Sequence, residues 1–211
     1  MRPPARDTAG ATGDNDATAG TMATSKDAAR RRVLAARDAL ASEERARLSL
    51  AVCTRAAELP ELQTATTVLL FASFRSEVDT GPLTDWVCAR GKVLCLPRVL
   101  GPRRMAAYRI DDPAVDLVPG AWGIPEPRQG LPEVDPRDLD AVVVPGSVFD
   151  CCGRRCGYGG GFYDSYLPLT RAGIPWVALA FELQVVPELS CEPHDLAVAA
   201  IVTESRVLRL R

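Results

Sequence analysis

The chain has 211 residues, with 25 Lys and Arg against 27 Asp and Glu, a formal net charge of −2, and 47% hydrophobic residues. That length and composition fit one ordinary globular domain with a sizeable core. The slight negative charge excludes broad attraction to nucleic acid or to an anionic membrane, although a local basic pocket stays compatible with it. No run of 18 apolar residues exists and no apolar h-region opens the chain, so neither a membrane span nor a secretory signal is expected. The expected location is the cytoplasm.

Residues 1–25 are rich in Ala, Thr, Gly and Asp and have almost nothing to bury, so they read as a disordered tail. Met22 stands just before the first patterned segment. The domain is expected over 26–211. It opens with a helix whose apolar stripe is Ala29, Val33, Ala36 and Leu40, with Lys26, Arg30 and Arg37 largely off it. Ser42, followed by Glu43 and Glu44, reads as the cap of a second helix. That helix buries Leu48, Val52, Ala56 and Leu59 and exits at Pro60.

The period then changes. Five short apolar runs, at 68–74, 93–96, 141–144, 176–181 and 199–202, suit strands covered on both faces. A helix signal between the first two has Thr80 as its cap and Pro82 near its start. Met105–Ile110 adds a further strand, antiparallel in the simplest reading. Six prolines between Asp111 and Pro136 mark a long loop. Together these predict a right-handed βαβ build: a single three-layer α/β/α domain with a mainly parallel sheet.

Seven cysteines do not form a metal-ligand pattern. Cys151, Cys152 and Cys156 lack the C-x-x-C spacing of zinc sites, and His194 is far from them in sequence. Reduced structural thiols are expected.

The most unusual stretch follows the 141–144 run: Gly157-Tyr-Gly-Gly-Gly-Phe-Tyr-Asp164. Glycines let backbone N–H groups turn toward an anion, and a helix start adds unpaired donors. The segment lacks the last glycine of G-x-G-x-x-G and has no G-x-x-x-x-G-K-[ST] sequence, so neither a Rossmann nor a Walker loop is supported. On the glycines alone, phosphate binding and a plain connecting turn both stand. Arg154 and Arg155 before the loop, and Asp164 after it, supply the cation and the carboxylate that a Mg²⁺–phosphate site needs. Asp195 is a candidate second carboxylate.

With flanking residues, Phe149-Asp150-x-x-Gly153-x-Arg155-x-Gly157-Tyr-Gly-Gly-Gly-Phe-Tyr-Asp164 resembles the signature of the 5-formyltetrahydrofolate cyclo-ligases, also called methenyltetrahydrofolate synthetases. The resemblance extends over about 26–204. It takes in Lys26-x-x-x-Arg30, Ser73-x-x-x-Glu77-Val-Asp-Thr80, Gly91-Lys92 with Pro97, Gly120-Ala-Trp-Gly-Ile-Pro-Glu-Pro127, Gln184, His194-Asp195 and Ile201-Val-Thr-Glu204. It implies the sugar-phosphate isomerase and coenzyme A transferase-like fold. The implied reaction is ATP-dependent cyclisation of 5-formyltetrahydrofolate to 5,10-methenyltetrahydrofolate, with Mg²⁺ as cofactor and a monomer as the working unit.

Site roles follow from the resemblance. Lys26, Arg30, Arg155, Cys156, Gly157, Tyr158, Gly159, Gly160, Gly161, Phe162 and Tyr163 would bind ATP. Ala72, Glu77 and Trp122, with Gly159 to Tyr163, would bind the folate, Glu77 meeting the pterin N–H edge. Arg155, Tyr163 and Asp164 are the catalytic candidates, and Asp164 and Asp195 the Mg²⁺ ligands. Phe162 stands where the family commonly has tyrosine, and Cys156 where leucine is usual. Two alternatives are a phosphometabolite isomerase or transferase of the same fold and a non-catalytic folate-binding protein.

Overall fold

The apolar runs do become strands. The computed structural model describes residues 25–190 and 196–210, and there the sheet is built around them. Its eight strands are β1 (Thr67–Leu69), β2 (Val93–Gly101), β3 (Arg104–Ile110), β6 (Glu133–Val134), β7 (Ala141–Val144), β10 (Trp176–Leu179), β12 (Ala200–Val202) and β13 (Val207–Arg209). Their order is β13-β12-β10-β7-β1-β2-β3-β6. The five central strands pair in parallel, while β3, β6 and β13 add antiparallel edges.

Successive side chains alternate between two cores. Val68, Leu94, Val143 and Val177 face a cluster made with α2 (Ser42–Ala57), α3 (Pro60–Thr64) and α4 (Gly81–Ala89). Leu69, Cys95, Val142, Val144 and Ile201 face the other layer, where Tyr166 of α6 (Phe162–Tyr166) and Leu167 pack. This is the three-layer arrangement, and continuous apolar runs are what two covered faces require.

Several local expectations change. Ala41, not Ser42, caps α2, and it makes no side-chain cap bond. Thr80 is the N-cap residue of α4 as expected, but its hydroxyl donates to the Phe71 carbonyl and makes no cap bond. Pro60 opens α3 instead of closing α2. Ser25, placed in the tail by composition, accepts from the Ala28 N–H and caps α1 (Lys26–Asp38); residues 1–24 lie outside the described residues. The proline-rich stretch holds α5 (Pro113–Asp116) and a hairpin of β4 (Leu117–Pro119) and β5 (Pro125–Pro127). The stripe of α1 is also shifted: Ala36 is exposed, and Arg37 is buried with Ala29 and Val33.

A small second sheet carries the glycine loop. Its strands β11 (Val185–Val186), β8 (Val148–Asp150) and β9 (Arg155–Cys156) run in that order. Ala29 and Val33 of α1 pack on it with Val148, Cys156 and Leu189. The fully buried Asp150 accepts from the N–H groups of Cys152, Arg154 and Leu189, which fixes the β8–β9 turn.

Candidate active site

Position follows from topology. From β1 the chain goes to β2 on one side, while β7, β10 and β12 extend to the other. The crevice beyond the carboxyl ends of β1 and β7 is thus the switch point, where open α/β sheets bind ligands. A cleft of about 780 Å³ opens there, lined by the segment after β1, by Pro145 and Gly146 after β7, by α1 and by the glycine loop. Fifteen of the sixteen candidate residues from the sequence line it. The sixteenth, Asp195, lies outside the described residues, as does His194.

The glycine loop forms one end. Gly159 and Gly161 have φ of 96° and 65°, left-handed values that disfavour side chains. A Cβ on Gly161 would also stand 3.2 Å from the Arg103 guanidinium. Gly161→Ala is therefore expected to strain the loop and lower stability by about 1 kcal/mol, measured by denaturant unfolding. The helix that follows has only five residues, so loop amides and side-chain cations, rather than a long helix dipole, make this end suited to an anion.

Arg155 sits beneath the loop with its side chain almost wholly buried. Its Nη2 donates to Asp164 Oδ1 at 2.6 Å, and its guanidinium lies 5.9 Å from the Tyr163 ring centroid. Its Nε is buried without a partner among the described residues, as is the Tyr163 hydroxyl. Burial also pushes the Tyr163 phenol far above its usual pKa, so it stays protonated. Asp164 remains part-exposed at the cleft wall.

Arg30, one turn after Lys26, lines the cleft as its spacing suggests. Its Nε donates to the Gly157 carbonyl at 2.9 Å, Nη2 to Cys156 Sγ at 3.1 Å and Nη1 to Asp27 at 2.8 Å. It holds the base of the loop, with Lys26 on the cleft wall one turn earlier. Cys156 is buried, its thiol donating toward the Lys26 carbonyl. Among the described residues the cysteines are free thiols.

Glu77, on the segment after β1, lines the same cleft close to Tyr158 of the loop. It is buried, and its Oε2 accepts from the Phe74 N–H at 2.9 Å. Burial pushes its pKa up to about 7, opposed by that N–H, by the Arg37 charge and by the Tyr158 hydroxyl. Ala72 lies on the same segment and lines the cleft with little bulk. Tyr158 packs edge-on against Phe74, with ring centroids 6.0 Å apart. Trp122, 70% exposed and at φ 57°, meets Phe162 edge-on at 6.4 Å and overhangs the cleft from the β4–β5 hairpin.

A profile of the 5-formyltetrahydrofolate cyclo-ligase family matches residues 22–204. The chain belongs to this family. The cyclo-ligase of Escherichia coli K12 is 34% identical over 175 residues, covering 81% of this chain and 96% of that protein. The mouse cyclo-ligase is 30% identical, covering 79% and 87%. Among solved structures, the 5,10-methenyltetrahydrofolate synthetase of Aquifex aeolicus superposes with a TM-score of 0.78 at 39% identity, covering 88% of this chain and 93% of that one. Cyclo-ligase membership sets aside the isomerase alternative.

Sequence reasoning missed several lining residues. Arg75, Arg103, Met105 and Gly146 all reach the cleft. Gly146 could be found only in three dimensions: Gln184 holds its carbonyl at 2.9 Å, and a Cβ there would strike the Phe149 ring.

Proposed function

We propose that the cleft binds Mg-ATP and 5-formyltetrahydrofolate together and cyclises the folate to 5,10-methenyltetrahydrofolate, releasing ADP and phosphate. The observation that carries this reading is the convergence of two chemically distinct groups in one cleft. Glycine amides with Arg155 suit a polyphosphate, and the buried Glu77 suits the N–H edge of a pterin.

The formyl oxygen is a poor leaving group. It attacks the γ-phosphorus of ATP, the bond to the bridging oxygen breaks, and ADP departs. N10 then attacks the formyl carbon and loses its proton, and the C–O bond breaks with phosphate as leaving group. Such chemistry asks for alignment and charge neutralisation rather than a nucleophilic side chain. Arg155 would neutralise the transferring group, Tyr163 would pack against it, and loop amides would hold the remaining phosphates. Glu77 and Trp122 would fix the folate so that its formyl oxygen faces the phosphate.

The residues would suit Mg²⁺ bound together with a phosphate ligand. Among the described residues no group of three or more His, Cys, Asp or Glu side chains could hold a metal unaided. Asp164, however, offers a part-exposed carboxylate at the phosphate end. Mg²⁺ characteristically takes one or two carboxylates and shares the rest of its shell with phosphates and water. Asp164, with Asp195 as the proposed second ligand, would hold it, and the bound ion would neutralise phosphate charge. Asp164→Asn is expected to raise the Mg²⁺ concentration needed for half-maximal turnover by about tenfold or more, with folate binding unchanged. An unaltered Mg²⁺ requirement contradicts that assignment.

We read the working unit as a cytoplasmic monomer, as the family resemblance implies. Among the described residues no helix is long and apolar enough to cross a membrane. The reading as a whole is tested by phosphate release: ATP hydrolysis should require 5-formyltetrahydrofolate and match it mole for mole. Tight folate binding without ATP turnover would instead indicate a non-catalytic binder.

A further inference from the structure

Arg37 is among the largest fully buried side chains in the described residues, only 1% exposed, yet it has no carboxylate within ion-pair distance there. Burying a guanidinium without a direct counter-ion is unfavourable, so its surroundings must compensate. Its Nε donates to Ser76 Oγ at 3.0 Å, and Ser76 in turn donates to the Asp38 carboxylate. Its Nη2 donates to the Tyr158 hydroxyl, and the guanidinium lies 5.7 Å from that ring's centroid. Nη1 is buried and has no partner among the described residues. Arg37 also borders a small recess with Glu77 and Gly146, two residues that line the main cleft as well.

These contacts join three separate segments: the end of α1, the 73–77 loop and the glycine loop. Resting on the proposed function, we infer that Arg37 is a positioning residue that ties Tyr158 to the Glu77 loop and orients both for the pterin. It supplies a cation to Glu77 without capturing the carboxylate, which leaves that carboxylate free to meet the pterin N–H edge. A directly ion-paired arginine would compete with the ligand for the same oxygens. The groups facing Glu77 are Arg37 from α1, Tyr158 from the glycine loop, Tyr163 from α6, and the Phe74 N–H from its own loop.

The test is steady-state kinetics and separate ligand titrations of wild type, Arg37→Met, Arg37→Lys and Tyr158→Phe across pH. Arg37→Met should raise KM for 5-formyltetrahydrofolate by about tenfold or more and leave KM for ATP within about twofold. The acidic limb of kcat/KM should move to higher pH by about one pH unit, because Glu77 loses the cation beside it. Arg37→Lys keeps the charge but not the fork of donors, so it should keep the acidic limb in place while KM for the folate still rises. Tyr158→Phe should raise folate KM less and without adding fully to Arg37→Met in the double variant. If Arg37→Met does not fold, Arg37→Lys and Tyr158→Phe carry the test. An unmoved pH profile with both KM values rising equally, or an unchanged folate KM, overturns the inference. A wild-type protein that binds no folate overturns the functional reading instead.

Discussion

Arg155→Ala should lower kcat by about a thousandfold or more while the protein still folds and binds 5-formyltetrahydrofolate. Its guanidinium is desolvated at the base of the glycine loop, where an opposing charge interacts more strongly than in water. It also grips Asp164 at 2.6 Å, so its loss would release the carboxylate proposed to hold Mg²⁺. Arg155→Lys should recover only a small part of the activity, because a single ammonium cannot reproduce the planar donor set. Single-turnover phosphate release separates this loss from slow product release. Full activity in Arg155→Ala would remove the residue from the reaction.

Glu77→Gln should produce two opposite effects. Activity should fall by about a hundredfold, chiefly through the folate, because a neutral amide pairs poorly with a pterin N–H edge. Stability should rise. The folded pKa of about 7 lies above the ordinary glutamate value of 4.5, so the folded state holds the proton more tightly than the unfolded chain. Stability from this group is full below pH 4.5 and is lost as pH rises through 7. The buried charge thus destabilises the ligand-free protein by about 3 kcal/mol at pH 8, as an upper figure. Glu77→Gln should therefore raise the melting temperature by several degrees at pH 8 and leave it nearly unchanged at pH 4. In the wild type the same titration should make kcat/KM fall as pH drops below about 7. Equal melting shifts at both pH values would contradict the burial argument.

The five central strands were legible because a strand covered on both faces must be apolar at every position, and Ala141–Val144 shows this without exception. The glycine loop was legible for a similar reason, since its residues serve backbone geometry locally. The hairpin of β4 and β5 was hidden because prolines stand in both strands, Pro119 opposite Pro125, and proline ordinarily argues against a strand. Arg37 was misread because a helical period sees only α1 itself. Its partners Ser76 and Tyr158 come from 39 and 121 residues away. Arg30 shows the same limit: spacing put it on the correct face, but contacts with Gly157 and Cys156 turn it toward the loop backbone.

One measurement tests the central claim most directly. Purified protein is mixed with 5-formyltetrahydrofolate and Mg-ATP, and the absorbance of 5,10-methenyltetrahydrofolate is followed, with ATP or Mg²⁺ omitted in parallel. Product should form only in the complete mixture, one equivalent for each ADP released. No product in the complete mixture, or equal product without ATP, would contradict the account.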